Sequence, residues 1–339
     1  MQSYFRPIAQ QDACRPDHAV SLAGGAVWFE YVEILQRGVA PRRVPLADIP
    51  AENLANLTAK RPAICGLDQS RPIIMGVINA TPDSFSDGGR HHALRDAVAG
   101  AEAMMQAGAD VLDIGGESTR PGAEYVPVSE EIRRVVPVIT ALREAGVTTP
   151  ISVDTRKAEV ARAAVAAGAN LFNDVSALSF DPESIATAAE LAVPTCLMHA
   201  AGDPKTMQNN PHYDDVLLDI YDYLSTRIAA ATNAGIAPHS IIIDPGIGFG
   251  KTVAHNLALM RGLSLFHGLG CPILLGTSRK RFIGALSNDA AADQRLPGSL
   301  ATALEGLRQG VQWLRVHDVA ETHQAVALWR AMLPSKETL

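Results

Sequence analysis

The sequence has no clustered cysteines. Cys14, Cys65, Cys196 and Cys271 are scattered over 339 residues without a C-x-x-C pair. That spacing points to neither a disulfide framework nor a thiolate zinc site, so the four are expected to be reduced thiols of a cytoplasmic protein. No apolar run approaches the ~20 residues of a bilayer-spanning helix. The start of the chain also lacks the basic and apolar regions of a secretory signal, and no membrane partner is expected. No basic run interrupts the net charge of −7, which argues against nucleic acid as a partner. Low-complexity tracts are missing as well. Charged residues make up 19% against 47% hydrophobic, a balance that excludes disorder and supports a large core.

What the chain does contain is a rhythm. Short apolar, β-type runs recur at residues 73–78, 111–115, 151–154, 171–175, 195–199, 241–244, 273–276 and 313–317. Each is followed by a polar turn and a helical stretch, many of them rich in alanine. Near-continuous apolar runs are what parallel strands covered on both faces require. Helices are expected over 93–107, stopping at Gly108, from Ser129 onward, from a cap at Thr155 to Gly168, and over 213–234, stopping at Gly235. Eight such units predict an α/β chain folded as a (β/α)8 TIM barrel, with an open doubly wound sheet as the alternative. Residues 1–70 do not share the rhythm. They are expected to form an N-terminal extension with a short strand or hairpin packed on a barrel of residues 71–335, its role not legible.

In such a barrel, catalytic groups sit at the C-terminal ends of the strands. Polar residues are dense at those positions here: Asn79, Asp113, Asp154, Asn173-Asp174, Met198-His199, Asp244, Gly276 through Lys280, and Arg315 with His317. A buried carboxylate is unfavourable unless paired. One such residue reads as a helix cap, but a set on every strand reads as a pocket. Asp154, Asp244 and Asn173 suit a ligand edge rich in N–H donors, such as a 2-amino-4-oxo pyrimidine ring. Lys280 supplies a donor, and Met198 and Phe249 offer flat apolar faces. Arg315 and His317, two apart on one strand, form a cationic pair for an anion. Asn79 offers the amide oxygen that Mg2+ uses beside substrate phosphates. The glycines at 88–89 and 115–116 permit close backbone approach or lid movement. Gly246 through Lys251 lacks P-loop spacing and is weak as a nucleotide motif. His199 reads as structural rather than metal-ligating, and His91-His92 as loop residues.

Taken together, the stretches MGVINATPDSFSDGG (75–89), DIGGESTRPG (113–122), 152–155, Asn173-Asp174, 197–199, DPGIGFGK (244–251), 278–280 and RVHDV (315–319) resemble the dihydropteroate synthases of the pterin-binding barrel superfamily. The resemblance runs from 71 to 320, one motif per strand. It implies condensation of (7,8-dihydropterin-6-yl)methyl diphosphate with p-aminobenzoate. By that resemblance Asp154, Asn173, Asp244 and Lys280 bind the pterin, Met198, Phe249 and Gly276 line its slot, and Arg315 stacks over it. Asn79 holds Mg2+ and, with Arg315 and His317, the diphosphate. Asp83 and Phe85 in the first loop, and Ser118, Thr119, Arg120 and Pro121 in the second, close over the site. With Ser278, Arg279 and Lys280 they form the p-aminobenzoate pocket. Asp154, Lys280, Arg315 and His317 are the implied catalytic residues. The fifth loop departs from the family in reading Met-His-Ala-Ala-Gly. A homodimer is implied, for which the apolar face of residues 300–307 is a candidate, although packing on its own barrel would look the same. The rivals are a methyltetrahydrofolate:corrinoid methyltransferase and a pterin-binding module without turnover. The first should lack Ser-Arg-Lys and Arg-x-His, and the second should have lost strand-end residues.

Overall fold

The computed structural model describes residues 2–80, 90–118, 122–202 and 205–334, with only the backbone described for 90–93. Outside the barrel, β1 (Tyr4–Pro7), β2 (Val20–Ser21), β3 (Trp28–Phe29), β4 (Tyr31–Gln36) and β5 (Val39–Pro45) precede helix α1 (Ala51–Thr58). β1, β4 and β5 form an antiparallel sheet, and β2 pairs with β3. The barrel then runs β6 (Ile73–Asn79), α2 (Arg90–Gln106), β7 (Val111–Gly115), α3 (Val128–Glu144), β8 (Ile151–Asp154), α4 (Ala158–Ala166), β9 (Leu171–Asp174) and α5 (Ser184–Leu191). It continues with β10 (Thr195–Met198), α6 (Val216–Asn233), β11 (Ile241–Asp244), α7 (Val253–Arg261), β12 (Leu274–Leu275), α8 (Arg281–Ala285), α9 (Leu296–Arg308), β13 (Trp313–Val316) and α10 (Val319–Ala331).

β6 through β13 make one parallel sheet of eight strands in the order β11-β10-β9-β8-β7-β6-β13-β12. A single parallel bridge between Ile243 and Ile273 joins the two edge strands and closes the cylinder. The open doubly wound sheet is thereby excluded, because its edges would not meet.

Alternation along each strand sorts the side chains into two populations. One parity faces the helices: Ile74, Leu112, Val153, Phe172, Leu197, Ile243, Leu275 and Leu314 belong to the large core between strands and helices. The other faces the barrel axis, where Ile73, Met75, Val111, Leu171, Cys196, Ile242, Leu274 and Trp313 form a separate inner cluster. Ile64 joins that inner cluster, and Gln69 accepts from the Trp313 indole at 2.6 Å. The segment leading into β6 thus stoppers the N-terminal mouth of the barrel.

Helix ends follow local chemistry, with two differences from the sequence reading. α4 starts at Ala158, not at a cap on Thr155. The Thr155 hydroxyl accepts from Lys157 N–H at 3.2 Å, and the Asp181 carboxylate accepts from Ala158 N–H at 2.9 Å. α6 starts at Val216, three residues after the expected point, because the Asp215 side chain accepts from Leu217 and Leu218 N–H and fixes the start there.

The extension packs on the barrel wall. Tyr4 sits with Leu218 and Leu265 and donates to Asp222, while Arg37 pairs with Asp219 and Asp222 of α6. Among the described residues no helix is long and apolar enough to cross a membrane.

Candidate active site

Two steps above the inner layer, the inward parity carries a polar residue on five strands and Met198 or Gly276 on two others. Val111 leads to Asp113, Ser152 to Asp154, Leu171 to Asn173, Cys196 to Met198, Ile242 to Asp244, Leu274 to Gly276, and Trp313 to Arg315 and His317. Period-two geometry alone therefore delivers these side chains to one mouth.

Arg315 ties the site together. Its Nε donates to Asp113 Oδ2 and its Nη2 to Asp154 Oδ2, both at 2.6 Å. Asn173 donates to the two Asp113 oxygens at 3.4 and 3.3 Å. Asp113 is fully buried, and sequence reasoning noted it only as part of a strand end. Its parity, two residues above Val111, was the available signal. Burial lowers the Arg315 affinity for its proton, but Asp113 and Asp154 more than reverse this and hold it above the ordinary value. The Asp154 carboxyl is pushed up to about 7 by burial, against the pull of Arg315. Its second oxygen, Oδ1, is buried with no partner. An orphaned acceptor at the barrel mouth is a place for a ligand N–H, since leaving it unpaired is unfavourable.

Asp244 is also raised by burial, an effect its bond from Gly246 N–H, 2.7 Å long, partly offsets. Gly276 stands beside it: a Cβ there would lie 3.8 Å from Asp244 Oδ2 and 3.9 Å from Arg315 Cβ. The Lys280 ammonium rests 3.9 Å from the Phe249 ring centroid, and Phe249 packs with Met198, Val175 and Met207. A cavity of about 240 Å³ opens beside Phe249, walled also by Met207 and Phe180. A larger hollow of about 440 Å³ lies between residues 22–27 and α10, and no strand-end site residue lines it.

His317 accepts from or donates to the Ser278 hydroxyl through Nδ1 at 3.0 Å, and its N–H donates to the same oxygen. Arg279, with positive φ, pairs with Asp318. Asn79 ends β6 with its side chain exposed. Ser118 is half-buried just past β7. Asp83, Phe85, Thr119, Arg120 and Pro121 lie outside the described residues.

Asp174 faces away from the pocket: its carboxylate accepts from Ser176 and Leu178 N–H and shapes the fourth loop. His199 is buried beside Lys251. Its Nδ1 lies 2.9 Å from the buried Lys251 ammonium, and burial with that neighbour holds its pKa well below the ordinary value. Among the described residues no cluster of three metal-ligating side chains exists.

This constellation matches a family model for pterin binding enzymes over residues 75–317. The chain belongs to the pterin binding enzymes. Within that family it is 48% identical to the dihydropteroate synthase of Escherichia coli K12 over 271 residues, covering 80% of this chain and 95% of that one. The Bacillus subtilis dihydropteroate synthase is 46% identical over 268 residues, covering 78% and 90%. Among solved structures, the Xanthomonas albilineans dihydropteroate synthase with 4-aminobenzoic acid is 50% identical with a TM-score of 0.73, covering 78% of this chain and 94% of that one. The same enzyme in complex with 7,8-dihydropteroate is 48% identical with a TM-score of 0.70, covering 78% and 95%.

Proposed function

We infer that this pterin binding enzyme is a dihydropteroate synthase. It joins (7,8-dihydropterin-6-yl)methyl diphosphate to p-aminobenzoate, giving 7,8-dihydropteroate and diphosphate in folate biosynthesis. The observation that carries the reading is the convergence of Asp154, Asn173, Asp244, Lys280, Arg315 and His317 on one mouth, in a chain about half identical to synthases across nearly their whole length.

The carboxylates accept from the N–H-rich edge of the pterin, with Asp154 Oδ1 the open acceptor. Asn173 adds its amide. Met198 and Phe249 form the walls of the slot, Gly276 leaves room beside it, and Lys280 donates from above Phe249. Arg315 spans the slot from Asp113 to Asp154, within reach of both a ring face and an anion. His317 and Ser278 hold the far side of that anion site.

In the reaction the methylene C–O bond breaks, its electron pair leaving with the diphosphate, and the amine lone pair forms the C–N bond. The proton lost from nitrogen passes to solvent or to the departing phosphate. Electron release from the pterin supports positive charge on the methylene, so dissociation can run ahead of attack. Buried Asp154 and Asp244 favour that charge, a preorganised effect on the order of several kcal/mol. An aromatic amine is neutral at pH 7, so no strong base is required. The residues fit Mg2+ in the limited sense that this ion keeps waters and takes one or two protein oxygens plus phosphates. The exposed amide of Asn79 would hold it, supplying charge neutralisation for the leaving group.

Asp83, Phe85, Ser118, Thr119, Arg120 and Pro121, with Ser278 and Lys280, would enclose p-aminobenzoate. A corrinoid methyltransferase reading finds no support, because Ser278-Arg279-Lys280 and the Arg315/His317 pair are both present. We also read residues 1–70 as an appended layer, the enzyme as cytoplasmic, and the assembly as a homodimer. Leu304 and Leu307 pack into this chain's own core, so the exposed Leu328 of α10 and Met332 just beyond its end are the better dimer face. Diphosphate release decides the activity. It is expected to be fastest with both substrates present, to be accompanied by 7,8-dihydropteroate, and to collapse in Arg315→Ala. Release with both substrates present but no 7,8-dihydropteroate formed would overturn the assignment.

A further inference from the structure

Behind the pterin slot lies a buried cation that the reaction leaves unused. Lys251 ends the sixth loop and is 3% exposed. Its Nζ lies 2.9 Å from His199 Nδ1, and it donates to the carbonyls of Phe249 at 2.9 Å and His199 at 3.4 Å. Carbonyl oxygens only accept, so two protons of an ammonium go to them and His199 Nδ1 takes the third. One side chain thereby binds the fifth loop, at His199, to the sixth loop, at Phe249. Met198 immediately precedes the first of these residues, and Phe249 is itself a wall of the slot.

Other contacts hold the sixth loop without charge. Gly248 N–H donates to Asn256 Oδ1 at 2.7 Å, Gln208 Nε2 to the Gly248 carbonyl at 2.8 Å, and the Tyr213 hydroxyl to the Gly250 carbonyl at 2.8 Å. An ammonium is a costly addition to such a set, because burying a charge away from water is unfavourable. Burial accordingly weakens the hold of Lys251 on its proton, and Asp244 opposes that effect.

Asp244 and Lys251 flank a single residue. Gly246 N–H donates to Asp244 Oδ1 at 2.7 Å, and a Cβ on Gly246 would lie 3.3 Å from Lys251 Nζ. The other titratable or charged groups acting with Asp244 are Arg315 from β13, Lys280 from the loop after β12 and Cys196 from β10. Beyond Arg315 lie Asp113 and Asp154, and His199 stands behind Lys251. Arg315 is already shared between those two carboxylates, and Lys280 lies over Phe249 in the slot. Of the three cations, Lys251 is the one held outside it.

We propose that Lys251 is a positioning residue for the pterin: it locks the Met198 and Phe249 walls together and supplies the fixed positive charge that keeps Asp244 an acceptor. This role rests on the pterin reading of the slot given above. Lys251 itself touches no substrate.

The test is the calorimetric affinity for the pterin diphosphate between about pH 4 and pH 9, in wild type, Lys251→Met, Lys251→Gln and Tyr213→Phe. Lys251→Gln removes the charge but keeps an N–H donor, whereas Tyr213→Phe removes a neutral bond to the same loop. Without the charge of Lys251, Asp244 takes up its proton at higher pH, so affinity is lost sooner as pH falls. The acid limb should move up by about one pH unit in both Lys251 variants and stay at the wild-type position in Tyr213→Phe. On that limb the affinity at a given pH should be roughly tenfold lower. Asp154 is present in all four proteins, so the comparison isolates Lys251. A limb unmoved in a folded Lys251 variant, or moved equally in Tyr213→Phe, would overturn the role. Failure of both Lys251 variants to fold by circular dichroism would overturn it too, since Lys251 would then serve the fold alone. Wild type that binds no pterin diphosphate would instead overturn the functional reading. Titration of the Asp244 carboxyl by NMR without ligand would then still decide whether Lys251 acts on it.

Discussion

At the scale of single residues, the site is an ion cluster kept short of full pairing. Arg315 serves two carboxylates, so neither Asp113 nor Asp154 has a cation of its own, and Asp154 keeps one oxygen unsatisfied. A pH signature follows. Asp154 has an ordinary value of 3.8 and a folded value of about 7. The folded state therefore binds this proton more tightly than the unfolded chain, and its contribution is complete below the ordinary value. It is lost as pH rises through the folded one. Measured by urea unfolding, wild type should lose stability relative to Asp154→Asn between about pH 4 and pH 7 and run parallel above. A difference that stays flat across that window would contradict the buried, unsatisfied state of Asp154. Most of these residues were legible beforehand because their types announce chemistry. Asp113 was not singled out, because its role is to hold Arg315 and Asn173, and an internal bond leaves no motif of its own.

At the scale of elements, strand alternation did the selecting. Apolar runs marked the strands, and the residue two steps beyond each inner apolar position named the site. Helix starts were read less well. Competing acceptors such as Asp181 and Asp215, placed by tertiary or local structure, decided where α4 and α6 begin. The turn after β11 shows how tightly the fifth and sixth loops mesh. Gly246 has φ +68 and a Cβ there would fall 1.8 Å from the His199 carbonyl oxygen, while one on Gly250 would fall 2.5 Å from Ala201 Cβ. The short side chain in Met-His-Ala-Ala-Gly is thus matched to Gly250. Gly246→Ala should push the fifth loop away from β11 and destabilise by about 1–3 kcal/mol. Its pterin affinity should fall even where the protein remains folded by circular dichroism. Full pterin affinity in the folded variant would show that the two loops do not set the slot.

At the scale of the whole molecule, the barrel was expected from its eight repeats and a short strand or hairpin from the extension, whereas the extension's three-stranded sheet was not. Its strands are short and pair locally, so only the aromatic stretch around Trp28 hinted at a hairpin. Arg61 shows how it is joined to the barrel. The guanidinium is buried and donates to the carbonyls of Asn56 and Ala59 at the end of α1 and of His267 on the barrel side. Burial pulls its pKa down to about 10. Arg61→Met would strand these carbonyls at a cost of about 1–3 kcal/mol. The urea midpoint should fall while both KM values stay at wild type, because the join lies at the end of the barrel opposite the mouth. A changed KM would mean that the extension reaches the chemistry.

The closure of the cylinder by one bridge has a mechanical consequence. The joint between β11 and β12 is the thinnest in the wall, since β12 has two residues and, among the described residues, one backbone bridge, Ile243–Ile273, spans it. Besides its contacts with α6, the extension fastens to the chain between those strands, through Pro7 to Ser264, Tyr4 to Leu265 and Arg61 to His267. The extension works as a hoop laid across the weakest stave, and a barrel stripped of it should spring first along that line.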